Sequence, residues 1–101
     1  MDKNPVTPGH ALVIPLRHEP NFLAIRHEEI EAIWTLVGEA KALIDRQFHP
    51  DGYNLGVNVG ELAGQTIGHA HLHLIPRYRG DTENPRGGVR SVIPAKQQYE
   101  L

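Results

Sequence analysis

A chain of 101 residues with no cysteine and a formal charge of −2 is long enough for one domain around one hydrophobic core. This composition excludes a disulfide framework, and the charge argues against general nucleic-acid binding through bulk electrostatics. No apolar run reaches the length of a membrane-spanning helix or of a signal-peptide core. The sequence therefore predicts a single soluble, cytoplasmic domain over residues 1–101.

The first predicted strand follows a proline-rich lead-in. Residues 1–9 are expected to be extended and to end in a turn at Gly9, and the apolar run of residues 10–16 predicts a strand that ends near Pro15. The consecutive apolar residues of this run favour burial on both faces: Leu12, Val13 and Ile14. By its position alone, His10 is a strand-entry residue just after the turn.

Residues 27–48 change to the period of an amphipathic helix. Apolar side chains recur three or four positions apart, at Ile30, Ile33, Trp34, Val37, Ile44 and Phe48. Glu28 and Glu29 are placed at the positive N-terminal end, and Pro50 is expected to end the helix. The helix, including Trp34, is predicted to cover the apolar face of a sheet. Three histidines have no partner motif and no predicted role: His18, His27 and His49.

A second strand is predicted from residue 53 to residue 59, where large and small residues alternate strictly. One face carries Tyr53, Leu55, Val57 and Val59, and the other carries Asn54, Gly56 and Asn58. The small polar face would form a shallow floor for a ligand. The connection over residues 60–68 contains three glycines, so its backbone amides can approach an anion closely.

Residues 69–75, with the sequence HAHLHLI, place a histidine at every second position. Alternation with period two is typical of a strand with one buried face. His69, His71 and His73 are therefore predicted to share the open face, and the core face is expected to hold Ala70, Leu72 and Leu74. Three imidazoles that titrate near neutral pH on one surface indicate a chemical site.

Two chemistries could use such a surface. Two neighbouring histidines can bind zinc, but at roughly 3.4 Å per residue the α-carbons of His69 and His73 would lie about 13 Å apart, too far to share one tetrahedral ion easily. Nucleophilic catalysis uses all three rings, since His71 attacks while its neighbours supply hydrogen bonds, positive charge and protons. The pattern favours a site without a metal, and a zinc-dependent hydrolase is the alternative.

Three blocks of the sequence, in the same order, resemble the histidine-triad (HIT) family of nucleotide hydrolases and transferases. They are PVTPGHALVIP at residues 5–15, NVGELAGQT at residues 58–66 and the triad block itself. The segment RYRGD at residues 77–81 is most similar to the Fhit-like and bacterial dinucleoside-polyphosphate hydrolase branch. The resemblance implies an α+β fold with an antiparallel sheet and the main helix on one face. It also implies two strands before the first block, which this chain lacks, so a truncation or a partner's contribution to the nucleobase pocket is expected.

The resemblance further implies a mechanism and a set of site residues. His71 would attack the α-phosphorus of a nucleotide, and water would release a nucleoside monophosphate from the nucleotidyl-histidine. His69 and His73 would stabilise charge or donate protons, and His10 would orient the triad from behind. The expected phosphate contacts are Asn58, Gly64, Gln65 and Thr66. A homodimer is implied, with no cofactor beyond a magnesium ion that can accompany the substrate.

The segment after Ile75 completes the prediction. Pro76 is expected to stop the strand, and residues 76–101 are expected to form an irregular basic tail. Four of its side chains could bind the distal phosphates of a polyphosphate: Arg77, Arg79, Arg86 and Arg90. The sequence thus predicts a dinucleoside-polyphosphate hydrolase. The alternative functions are those of an adenosine phosphoramidase and of a non-catalytic nucleotide-binding module.

Overall fold

The computed structural model describes residues 1–99, so Glu100 and Leu101 of the predicted tail lie outside the described residues. One long helix packs against a three-stranded antiparallel sheet. The elements are β1 (Ala11–Val13), α1 (His27–Phe48), β2 (Gly52–Gly56) and β3 (Leu72–Arg77). The predicted α+β class is confirmed.

Strand β3 lies at the centre of the sheet, between β1 and β2. Leu74 is opposite Ala11 on one side and Leu55 on the other. The strands predicted over residues 10–16 and 53–59 are both shorter in the structure, since only residues 11–13 and 52–56 are paired. The residues that follow Val13 and Gly56 have no ladder partner on β3.

The expectation that Pro76 stops the strand is wrong, because β3 continues to Arg77. Pro76 lacks an N–H and is normally excluded from a central strand. Here it lies beyond the end of β1, whose first residue, Ala11, is opposite Leu74. The Pro76 carbonyl faces that same open side and accepts a hydrogen bond from the Thr7 hydroxyl. The missing donor therefore breaks no backbone pair.

The core lies between α1 and the sheet. Its buried members are Val13, Ile33, Val37, Ile44 and Leu74. The prediction that Trp34 belongs to it is wrong, since the indole is 65 % exposed. Trp34 lies about 100° around the helix from Ile33, outside the arc that three strands can cover. Burial of the first strand on both faces is likewise wrong, because Ile14 is exposed.

The predicted bounds of α1, residues 27 and 48, are confirmed. At its start the Glu29 carboxylate accepts the Arg26 N–H at 2.8 Å and pairs with the Arg17 guanidinium at 2.9 Å. The Arg17 hydrogen bonds, followed by the Arg26 amide, lower the pKa of Glu29. At its end His49 adopts a left-handed conformation, with φ 53°. Among the helices of residues 1–99, none is both long and apolar enough to cross a membrane.

A two-pronged ion pair closes the turn after β3. The Nε and Nη2 atoms of Arg77 each donate to the Asp81 carboxylate at 2.8 Å, and the Tyr78 N–H donates to it at 2.9 Å. These hydrogen bonds, with that of Arg77 the strongest, lower the pKa of Asp81 to about 2. The carboxylate is therefore bound more tightly in the folded chain when it is ionised.

We expect Asp81→Asn to lower the urea midpoint at pH 7 and to have no effect near pH 2. The folded-state pKa is depressed, so the stabilisation is present above the ordinary pKa of 3.8 and is lost as the pH falls toward 2. Urea titrations at several pH values measure this. Glu83→Gln, at an exposed residue of the same segment, is the matched control and should leave the midpoint unchanged. A deficit of equal size at both pH values would contradict the prediction.

Candidate functional site

The sequence predicted that the three histidines of the triad share one strand face, and this prediction is wrong. His73 is the second residue of β3, whereas His69 and His71 precede the strand. The backbone is held there by the loop after β1, since the Ala70 N–H donates to the Glu19 carbonyl at 2.6 Å. The expected core face is confirmed: Ala70 and Leu74 are buried, and Leu72 is partly buried.

His71 is the most buried ring of the triad. It is only 6 % exposed, and its Nδ1 lies 2.8 Å from the backbone carbonyl of His69. A carbonyl can only accept, so Nδ1 carries the proton and the neutral ring has its lone pair on Nε2. Among the described residues, no atom forms a hydrogen bond with Nε2. Every buried side-chain nitrogen of these residues has a hydrogen-bond partner, so Nε2 is not buried. Nε2 therefore reaches the surface with its lone pair unpaired.

A chain of hydrogen bonds fixes the proton of His73. The Val6 N–H donates to His10 Nδ1 at 3.1 Å, and His10 Nε2 lies 2.9 Å from His73 Nδ1. Because an amide N–H can only donate, neutral His10 must carry its proton on Nε2 and pass a hydrogen bond to His73. His73 then carries its own proton on Nε2. The rings of His71 and His73 meet edge to face, 4.9 Å apart.

Burial keeps this pair of rings neutral. It lowers the pKa of His10, and it lowers the pKa of His73, to which the charges of His71 and His10 also contribute. The Asp2 carboxylate, 3.5 Å from His10 Nε2, raises the pKa of His10, but burial lowers it by more. Sequence reasoning assigned no role to Asp2. Near pH 7, His73 is therefore a neutral hydrogen-bond donor.

We expect long-range ¹⁵N–¹H spectra at pH 7 to show the Nδ1–H tautomer for His71 and the Nε2–H tautomer for His10 and His73. The titration midpoints of His10 and His73 should lie below 6.5, the ordinary value. His10→Ala should raise the midpoint of His73 toward 6.5, because it removes the N–H that donates to His73 Nδ1 and favours the neutral ring, and because it admits water. A midpoint of His73 above 6.5 in the unaltered protein would contradict the assignment.

His69 is tied to the end of the first strand segment. Its Nε2 lies 2.9 Å from the Pro15 carbonyl, to which it donates, and its ring meets the edge of His18 at 5.4 Å. His18, for which no role was predicted, is thus a packing partner of the triad. His27 and His49 are exposed. His69 joins the loop after β1 to the backbone that carries His71.

A cavity of about 670 Å³ opens beside His73, between the free face of the sheet and the 3-10 turn over Gly88–Val92. Four of the predicted site residues line it: His10, Asn58, His73 and Arg77. Asn54 and Gly56 face it as the alternation predicted, since they are opposite Ile75 and His73. The wall formed by Val89 and Val92 was not predicted. These two apolar residues, in a tail that was expected to be only basic and irregular, were the feature of the sequence that could have indicated the wall.

The glycine connection places its residues differently from the phosphate cradle that was expected. The Gln65 amide nitrogen donates to the Pro20 and Ile67 carbonyls, at 2.6 and 3.0 Å, and its oxygen accepts the Gly60 N–H at 2.9 Å. Gln65 therefore closes its own loop, and a contact with phosphate would have to replace these bonds. Gly64 supplies the left-handed turn, with φ 96°, and Thr66 is exposed.

The arginines of the tail do not gather around the cavity. Arg77, which is part of β3, lines it with its guanidinium bound to Asp81. Arg90 lies over the Tyr99 ring at 4.5 Å and donates to the Lys96 carbonyl. The other two candidates, Arg79 and Arg86, are exposed. The predicted cluster for distal phosphates is therefore dispersed in the structure.

One group of side chains has the spacing of metal ligands. A ligand atom from each of Asp2, His10 and His73 lies within 4.8 Å of the others. Zinc would need a lone pair on His10 Nε2, but the Val6 N–H occupies Nδ1 and places the proton on Nε2. Binding would have to move that proton and break the Val6 hydrogen bond. The arrangement therefore favours a hydrogen-bond chain over metal ligation.

Comparison with known proteins gives a consistent result. Residues 1–80 match the HIT domain. An uncharacterized HIT-like protein of Saccharolobus solfataricus is 34 % identical over 98 residues, which are 97 % of this chain and 68 % of that protein. The bis(5'-adenosyl)-triphosphatase of Dictyostelium discoideum is 38 % identical over 80 residues, which are 79 % of this chain and 54 % of that protein.

The same holds for solved structures. The crystal structure of a HIT family protein from Bacillus anthracis superposes with a TM-score of 0.71 at 46 % identity, and the match covers 75 % of this chain and 54 % of that one. The chain therefore spans between about half and two thirds of the length of these relatives.

Proposed function

This chain belongs to the HIT family, and from that premise we propose that it hydrolyses a nucleotide conjugate at the α-phosphorus through a nucleotidyl-histidine intermediate on His71. The observation that carries the proposal is the hydrogen bond between His71 Nδ1 and the His69 carbonyl, at 2.8 Å. It presents Nε2 as the nucleophilic atom. A relative with 38 % identity is named as a bis(5'-adenosyl)-triphosphatase, which is an enzyme of this chemical class.

In the first step, the Nε2 lone pair of His71 forms a bond to phosphorus as the bond to the leaving group breaks. The leaving group keeps the electron pair and takes a proton from solvent water, since neutral His73 donates a hydrogen bond but keeps its proton. Positive charge develops on the His71 ring, so the Nδ1–H bond to the His69 carbonyl becomes charge-assisted and stronger. That carbonyl thus stabilises the transition state as well as orienting the ring.

His73 and Asn58 are suited to hold the phosphate during this step. His73 has its free proton on Nε2 and borders the cavity together with Asn58. Preorganised N–H donors aimed at phosphate oxygens stabilise the charge that these oxygens carry. The additional contacts from Gly64, Gln65 and Thr66 stay predictions.

In the second step, water attacks the same phosphorus, and the P–N bond returns its electrons to Nε2. The water's proton goes to solvent through the neighbouring histidines, and a nucleoside monophosphate leaves. No further reactant is required. That the reaction needs no cofactor stays a prediction, which is checked by comparing turnover in EDTA with turnover in magnesium.

The test is hydrolysis of adenosine 5'-phosphoramidate and of diadenosine tetraphosphate in H₂¹⁸O. We expect a nucleoside monophosphate that carries one ¹⁸O, and an intact-protein mass, measured at alkaline pH, that is larger by one adenylyl group. Absence of turnover with all such nucleotides would contradict the proposal. Binding of nucleotides without turnover would identify a non-catalytic nucleotide-binding module instead.

The homodimer stays a prediction as well. The outer edges of β1 and β2 have no neighbouring strand within residues 1–99, so each exposes backbone groups that can pair. Light scattering coupled to size exclusion distinguishes a mass near 11 kDa from one twice as large.

A further inference from the structure

The loop after β1 holds the segment that carries the triad by its backbone. Residues 15–20 of this loop belong to no helix or strand, yet three of their carbonyls accept hydrogen bonds from that segment. The donors and acceptors are the His69 ring and Pro15 at 2.9 Å, the Ala70 N–H and Glu19 at 2.6 Å, and the Gln65 amide and Pro20 at 2.6 Å. The position of the triad backbone therefore depends on what fixes residues 15–20.

Arg17 ties this loop to the helix. Its Nη2 donates to the Glu29 carboxylate at 2.9 Å, and its Nε donates to both oxygens of that group at 3.3 Å. Its Nη1 donates to the Glu19 carboxylate, also at 3.3 Å. Glu29 lies in the first turn of α1. One guanidinium, whose N–H donors lie in a rigid plane, thus joins the helix to the residue whose carbonyl holds Ala70.

Glu19 acts on the His71 ring through a single peptide group. The Ala70 N–H, which donates to Glu19, belongs to the same peptide unit as the His69 carbonyl. That carbonyl accepts from His71 Nδ1 at 2.8 Å. A trans peptide is planar, so its C=O and its N–H point in opposite directions. The Glu19 carbonyl therefore sets the direction of the carbonyl that orients the ring of His71.

We propose that Arg17 is a positioning residue for hydrolysis, which fixes the Glu19 carbonyl and, through the peptide between residues 69 and 70, keeps the ring of His71 in its attacking orientation. The inference rests on the proposed function, since the orientation of His71 affects the rate only if that ring attacks phosphorus. Among residues 1–99, the hydrogen bonds of the guanidinium go to two carboxylates, so Arg17 acts through the backbone. A misplacement of the reacting atom by about 1 Å can lower a rate by about a hundredfold.

The test replaces Arg17 with glutamine, whose single uncharged N–H₂ group cannot join two carboxylates. With adenosine 5'-phosphoramidate, we expect kcat to fall by about tenfold to a hundredfold and KM to change by less than about threefold, because no contact with the substrate is lost. Long-range ¹⁵N–¹H spectra at pH 7 should show part of the His71 rings in the Nε2–H tautomer, since the His69 carbonyl no longer accepts from Nδ1 in every molecule. Arg17→Lys, which keeps the charge without the planar fork, should show both changes to a smaller extent.

Arg46→Gln is the matched control, because Arg46 is an exposed arginine in the last turn of α1. We expect its kinetics and its His71 spectrum to equal those of the unaltered protein. Circular dichroism identifies a temperature at which the variants are folded, and Arg17→Lys serves if the glutamine variant does not fold. A folded Arg17 variant that keeps kcat within about twofold, or that loses activity with the His71 tautomer unchanged, would overturn the inference.

The two measurements separate this inference from the proposed function. If the unaltered protein hydrolyses no nucleotide, the proposed function fails, and the His71 tautomer, which is measured without substrate, still tests whether Arg17 positions the ring. If the unaltered protein is active and the Arg17 variants match it in both measurements, the positioning role alone fails.

Discussion

Replacing His71 with asparagine is expected to reduce kcat for nucleotide hydrolysis by about a thousandfold or more and to abolish the covalent adduct. Asparagine has no lone-pair nitrogen at the position of Nε2, so the P–N bond cannot form. Its amide N–H₂ can still donate to the His69 carbonyl that now accepts from Nδ1, which preserves the local backbone. Steady-state kinetics and the intact-protein mass at alkaline pH measure the two effects.

His49→Asn is the matched control for this substitution. His49 is exposed, and its φ of 53° lies in the left-handed region that asparagine tolerates better than most residues. We expect unchanged kinetics and adduct formation. If His71→Asn still forms the adduct, or retains turnover within about tenfold of the unaltered protein, His71 is not the nucleophile. Thermal unfolding of both variants separates loss of chemistry from loss of folding.

Replacing Leu74 with alanine is expected to lower the free energy of unfolding by about 2–5 kcal/mol. Leu74 is 1 % exposed in the central strand and packs in the cluster that joins β1, β3 and α1. Truncation removes buried methyl groups and leaves a cavity that neighbours on both sides of the strand cannot easily fill. Urea unfolding followed by far-UV circular dichroism measures the change.

Such a loss is a large part of the unfolding free energy of a domain of this size, which is about 5–15 kcal/mol. Leu62→Ala is the control, because Leu62 is fully exposed and should change the unfolding free energy by no more than about 0.5 kcal/mol. A loss below about 1 kcal/mol in Leu74→Ala would mean that the sheet and α1 do not share a packed core.

The features that the sequence alone determined are those whose cause is local. The bounds of α1 followed from a 3.6-residue period between His27 and Phe48 and from the stop at Pro50. The alternation along β3 was also predictable, since Leu74 and Pro76 are buried while His73 and Ile75 line the cavity. Neighbouring side chains on a strand must point to opposite faces whatever the rest of the chain does.

Only the tertiary structure decided how the histidines are held. The His69 ring and the Ala70 N–H donate hydrogen bonds to the carbonyls of Pro15 and Glu19, more than fifty positions earlier in the chain, and these bonds keep the triad off the strand until Leu72. No periodic pattern encodes a partner so distant, because a pattern specifies the direction of a side chain and not what it meets.

The cavity beside His73 was decided in the same way. Its wall depends on a turn near Val89 that folds back across the sheet, and its charge depends on the pairing of Arg77 with Asp81. The basic residues after the triad were visible in the sequence, but whether a guanidinium is free to bind phosphate depends on which carboxylate the fold brings to it. The sequence supplied the histidines, and long-range packing determined how His69 and His73 are held and what lies beside them.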